Sequence, residues 1–137
     1  MNGSPDESIS IVVEREMRHP PEKIWRALTE PYLIGEWLMK SGDFRPVVGH
    51  GFGLVADWGA VDCRVETVEP NRSLSYSWDT KDLRSTVTWT LTPTDTGTLL
   101  RMEQEGFRPD QKSYYRGAQA AWPRFLAALD EVAARLE

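Results

Sequence analysis

The apolar residues of this chain change their spacing once, near residue 110, and that change limits the fold more than any single motif. From there on, Tyr115, Ala118, Trp122, Phe125, Leu129, Val132 and Leu136 recur at intervals of three and four, while Asp130, Glu131 and Arg135 fall on the other side. The pattern predicts one helix over Asp110–Leu136, about 40 Å long at 1.5 Å per residue, enough to span a sheet. Pro123 lies within it. Proline has no N–H to give to Gln119, so a bend or a missing bond is expected there.

Before that point the apolar residues alternate. Ile9, Ile11 and Val13 are separated by Ser10, Val12 and Glu14, which reads as a first strand. Phe44–Pro46 reads as a short extended piece. Period-two runs follow at Phe52, Leu54 and Ala56; at Val61, Cys63, Val65 and Thr67; at Leu74, Tyr76 and Trp78; at Val87, Trp89 and Leu91; and at Leu100 and Met102. The connections are short and turn-like, such as Pro70-Asn71 and Pro93 to Gly97, so neighbouring strands should be antiparallel. The alternate positions carry Ser, Thr and charge, so the sheet covers a core mainly on one side. Between the first strand and the rest stand two short helices. One spans Pro21–Thr29, and the next begins at Glu30-Pro31 with Tyr32, Leu33, Trp37 and Leu38 as its apolar stripe. The expected fold is α+β: a curved antiparallel sheet of six or seven strands around a long C-terminal helix, enclosing an apolar cavity. Residues 1–8 read as a flexible polar lead-in and 9–137 as a single domain.

Composition narrows the function. A net charge of −5 with no long basic run argues against nucleic acid or an anionic membrane as partner. No apolar stretch approaches the roughly 20 residues that cross a bilayer, and the polar start does not resemble a signal peptide. Cys63 is the only cysteine, so no internal disulfide forms, and a cytoplasmic setting is the simplest expectation. His19 and His50 sit on separate turns without spaced partners, a poor metal site, and no metal or cofactor is expected. Arg64, Glu66, Arg101, Glu103 and Glu105 belong by parity to the wet face, and Asp57 and Asp62 flank a turn near the cavity mouth. No phosphate loop or nucleophile elbow is present.

The functional signal lies in large rings. Six tryptophans occur in 137 residues. Tyr76, Trp78, Trp89 and Met102 fall on apolar strand faces, opposite Tyr115, Trp122 and Phe125 on the helix. With Trp37 and Phe52 they form the candidate ligand-binding set.

Several motifs carry a resemblance. They are Pro21-Glu22-Lys23-Ile24-Trp25-Arg26-Ala27-Leu28-Thr29-Glu30-Pro31 followed by Trp37, and Arg45-Pro46 before Gly49 and Phe52. Further along come Val68-Glu69-Pro70-Asn71-Arg72-Ser73-Leu74-Ser75-Tyr76-Ser77-Trp78, Ser85-Thr86-Val87-Thr88 with Leu91, Gly97-Thr98, Gly106-Phe107, and Gly117 to Trp122. In this order, over about residues 9–136, they resemble the helix-grip superfamily of START domains, birch-pollen-allergen-like proteins and polyketide cyclases. The branch they are most similar to is the one related to the C-terminal domain of the Hsp90 ATPase activator. The resemblance implies the fold, and a small apolar or amphipathic molecule held between sheet and helix. It also implies two alternatives: a cyclase- or hydrolase-type enzyme in the same cavity, or a chaperone-interaction module. The last is least favoured, because the full activator has a larger N-terminal domain and this chain starts at the first strand. An enzyme would need an inward ionisable group, and strand parity offers none.

Overall fold

The structure, a computed structural model, describes residues 9–136. The lead-in over residues 1–8 and the final residue of the domain lie outside the described residues. The elements are β1 (Ile9–Met17), α1 (Pro21–Thr29), α2 (Pro31–Trp37), β2 (Gly51–Ala56), β3 (Gly59–Glu69), β4 (Ser73–Asp79), β5 (Arg84–Pro93), β6 (Thr98–Phe107) and α3 (Lys112–Ala134). Pro21 and Pro31 each open a helix, where the proline's missing N–H costs nothing. Six strands form one antiparallel sheet in the order β1-β6-β5-β4-β3-β2. The two short helices carry the chain from one sheet edge to the other and pack against α3. This is the helix-grip arrangement, with the core between α3 and one sheet face.

Four sequence expectations need correction. Phe44–Pro46 is not a strand: Pro46 has no N–H to give, and the chain turns at Val47–His50. Lys40 instead bridges to Val55 at the sheet edge, and Phe44 turns its ring onto Phe52 at 4.8 Å. Helix α3 starts at Lys112 rather than Asp110, because Gln111 closes a turn with Arg108 through both its backbone and its side chain. Thr67 does not share the inner face with Val65. The β3–β4 register slips between them, so Thr67 points outward to Ser75 Oγ at 2.6 Å and Val68 turns toward the core. Asp130 is not simply on the outside of α3. It accepts from Arg15 Nε at 2.9 Å and lies 2.7 Å from His19 Nε2, tying the helix to β1 and the first corner.

A second irregularity serves the core directly. Ile9 pairs with Phe107 and Ser10 with Glu105, which leaves Gly106 unpaired at φ 119°. A Cβ at Gly106 would lie 2.6 Å from the Arg84 carbonyl oxygen, so only glycine fits. The extra residue shifts the parity, and Phe107 points inward behind Gln104 and Met102.

Helix α3 is continuous through Pro123, and both Pro123 and Gln119 are solvent-exposed. The Gln119 carbonyl that loses its donor can therefore bond to water, which explains why the helix survives. Replacing Pro123 with Ala restores that bond and is expected to raise the unfolding free energy by about 1–3 kcal/mol, less whatever the proline gains by restricting the unfolded chain. A lower urea midpoint in Pro123→Ala would show that the proline fits this site better than a regular turn.

Candidate functional site

The ring-rich core divides into a filled part and an open part, and α3 draws the line between them. In its C-terminal half, Leu126, Leu129 and Val132 are buried in the core that α3 forms with α1, α2 and the sheet. In its N-terminal half the residues lining the space toward the sheet include four small ones, Ser113, Gly117, Ala118 and Ala121, beside Tyr114 and Trp122. Small side chains leave the space between helix and strands unfilled, and a cleft of about 590 Å³ opens there. Its floor and walls include Trp78, Leu83, Gln104, Phe107, Trp122 and Phe125. Trp58 from the β2–β3 turn, Lys81 from the β4–β5 connection and Tyr114 stand around it. Tyr114 Oη lies 3.3 Å from an Asp82 carboxylate oxygen, and Gln111 Nε2 donates to the Asp82 carbonyl at 2.7 Å. These two bonds fasten the β4–β5 connection to the start of α3.

Of the nine candidate ligand-binding residues, Trp78, Trp122 and Phe125 border the cleft. Trp89 and Met102 are completely buried beneath it. Trp37 meets Trp89 edge-on at 5.5 Å and gives its indole N–H to the Ala27 carbonyl at 2.7 Å. Phe52 and Tyr76 pack together at 5.3 Å at the β2–β4 end of the core, and Tyr115 packs on Phe107 at 5.7 Å. Trp122 joins the two regions, with ring centres 5.3 Å from Trp78, 5.7 Å from Trp89 and 5.4 Å from Phe125.

The polar atoms among these rings form bonded pairs. Trp89 Nε1 donates to the Tyr76 hydroxyl at 3.0 Å, and Trp122 Nε1 donates to Gln104 Oε1 at 2.7 Å. Gln104 Nε2 in turn donates to Ser85 Oγ at 3.0 Å, and Ser85 Oγ to the Trp78 carbonyl at 2.7 Å. This relay runs across three strands and fixes the Trp122 ring at the cleft wall. Sequence reasoning missed Gln104 and Ser85, although the signal was present. Both continue the inward parity of Leu100–Met102 and of Val87–Leu91.

The remaining candidates hold structure. Cys63 is buried on the inner face; burial first, then the nearby Asp79 and Asp62 carboxylates, push its thiol up to about 12. The native state therefore keeps a proton that the unfolded state releases above its ordinary thiol pKa. This contribution to stability is complete below about pH 8.5 and falls as pH rises toward 12. Iodoacetamide at pH 8 is expected to leave native Cys63 unmodified and to label it in urea; rapid native labelling would contradict the burial. Burial likewise raises the Tyr76 hydroxyl, against the opposing effect of its bond from Trp89. His50 holds the Asp43 carbonyl at 2.5 Å. Arg101 reaches Glu103 at 3.3 Å and Glu14 at 3.8 Å on the outer face, as parity predicted. Asp57 and Asp62 do not line the cleft. No three metal-ligating side chains converge among the described residues, and none of their helices is long and apolar enough to cross a membrane.

Comparison with solved structures places this architecture among known folds. A protein of Mesorhizobium loti, MLL2253, superposes with a TM-score of 0.90 at 57% identity, over 94% of this chain and 99% of that one. The Rhodobacter sphaeroides protein Q3J4M4_RHOS4 gives 0.78 at 26% identity, over 93% of each chain. CalU16 from Micromonospora echinospora gives 0.75 at 26% identity, over 88% of this chain and 71% of that one. No curated protein matches the sequence. A family model, activator of Hsp90 ATPase homolog 1-like protein, matches residues 18–134, from the turn after β1 to the last residue of α3. By that match the chain belongs to the activator of Hsp90 ATPase homolog 1-like family.

Proposed function

We propose that this protein binds a small, predominantly apolar molecule in the cleft between the N-terminal half of α3 and the sheet. The observation that carries the reading is the cleft itself. At about 590 Å³ it falls in the range of small-molecule sites, its walls are Trp, Phe and Leu, and a few polar groups converge on it. A filled core would have put large residues at Gly117, Ala118 and Ala121. A cyclase- or hydrolase-type reaction in the same place would need a general acid or base at the reacting atoms. Among the residues lining the cleft, Lys81 and Tyr114 are the ionisable ones, and both are exposed at its rim. Binding without chemistry is therefore the better reading. A chaperone-interaction role has no comparable feature in its favour.

A ligand that fits this volume gains about 0.3 kcal/mol per heavy atom, which places Kd in the range of roughly 1–100 μM. Titrating fluorene, a neutral apolar probe, while following tryptophan emission tests the reading. Saturable quenching that is nearly independent of salt is expected, because the contacts are apolar. Absence of any saturable change would rule the reading out. Native mass spectrometry of protein purified from its own host would then identify the physiological occupant.

A further inference from the structure

We propose that the cleft selects ligands bearing a neutral hydrogen-bond acceptor oxygen, with the Trp78 indole N–H as the specificity-determining donor and the Thr80 hydroxyl as a second unpartnered group of the lining. This rests on the binding reading above and adds a chemical class to it. The core holds four well-buried indoles. Trp37, Trp89 and Trp122 give their N–H groups to internal acceptors at 2.7, 3.0 and 2.7 Å. Trp78 differs: it lines the cleft, is 7% exposed, and its side chain makes no hydrogen bond among the described residues. Its N–H has no partner among them and keeps some exposure, on a residue that lines the cleft. Two residues along, Thr80 also lines the cleft, and its hydroxyl is buried with no partner among the described residues.

An indole N–H can only donate, and a threonine hydroxyl can donate as readily as accept. An occupant that covers the Trp78 N–H with hydrocarbon removes its water and gives nothing back, which costs affinity, and leaves the Thr80 hydroxyl unpaired as before. An occupant with an acceptor oxygen at that end satisfies them. The acceptor should be uncharged. Lys81 is the one cation lining the cleft, and it stands exposed at the rim, so a carboxylate on the floor would be desolvated without a counter-charge. A ketone, ester or amide oxygen on a flat apolar body matches both the floor and the ring-lined walls.

The test compares two probes with one carbon skeleton, fluorene and 9-fluorenone, by isothermal titration calorimetry. Transfer from water alone favours fluorene, since the ketone must give up hydration. A site with waiting donors reverses that order, and 9-fluorenone is expected to bind about tenfold tighter. Trp78→Phe keeps an aromatic wall and should abolish the preference, which is read as the ratio of the two affinities within the variant, since the smaller ring also changes the affinity for fluorene itself. Thr80→Val, a near-isosteric change outside the ring cluster, should reduce the preference in part and guards against a folding defect in the tryptophan variant. Equal or weaker binding of 9-fluorenone by the wild type, or a full preference surviving in Trp78→Phe, overturns the inference and leaves the binding reading intact. If neither probe binds, both fall together.

Discussion

Replacing Trp122 with alanine is expected to lower the unfolding free energy by about 3–5 kcal/mol, the usual cost of deleting a buried aromatic from a core that cannot collapse around the gap. The side chain is 2% exposed and touches Trp78, Trp89 and Phe125. Truncation removes those ring contacts and also leaves the Gln104 carboxamide oxygen without its donor, which adds an unsatisfied polar atom to the cavity. Arg101→Ala, on the wet face, should stay within about 0.5 kcal/mol of wild type, because exposed ion pairs contribute little. Urea denaturation of the two variants measures the contrast. A loss below about 1 kcal/mol for Trp122→Ala would mean that the ring is not the joint between the filled and open parts of the core.

The second large effect concerns binding rather than stability. Gly117→Leu is expected to weaken fluorene binding more than tenfold and to keep or raise stability. A Cβ built at Gly117 meets nothing within 4 Å, and the residue faces the cleft. A leucine there should project into the space a ligand would occupy. Replacing a mid-helix glycine also adds about 0.8–1 kcal/mol of helix propensity. The combination separates this variant from a core deletion, which loses both properties together. Wild-type affinity in a folded Gly117→Leu protein would show that probes bind somewhere else.

The fold was readable in the sequence because two periods, two and 3.6, are each sustained over many residues. Apolar alternation through Val61–Val65, Leu74–Trp78 and Val87–Leu91 defined the inner sheet face, and the stripe from Trp122 to Val132 defined the helix. Reading failed where one residue breaks the parity. The slip after Val65 and the unpaired Gly106 both turn a side chain to the opposite face, and neither has a signature beyond the glycine itself. The candidate site was legible only in part. The rings on strands and helix do pack in or against the core, but size alone does not say whether rings fill a space or border one. That is decided by the small residues at 117, 118 and 121, of which only Ala118 belongs to the helical stripe, and by Gln104, which parity makes an inward residue and polarity disguises. Asp130 shows the same limit. Its position on the helix is polar by pattern, yet β1 brings Arg15 and the first corner brings His19 to meet it.

The indole N–H region of a ¹H–¹⁵N spectrum, recorded during a fluorene titration, tests the central claim most directly. The six tryptophans are distributed so that they report location. Trp58, Trp78 and Trp122 line the cleft, while Trp25, Trp37 and Trp89 do not. If the cleft is the binding site, the Trp78 and Trp122 resonances should shift most and saturate together, with Trp58 following and the Trp25 and Trp37 signals nearly still. Largest shifts at Trp25 or Trp37, or no saturable shift at Trp78 and Trp122, would contradict the account.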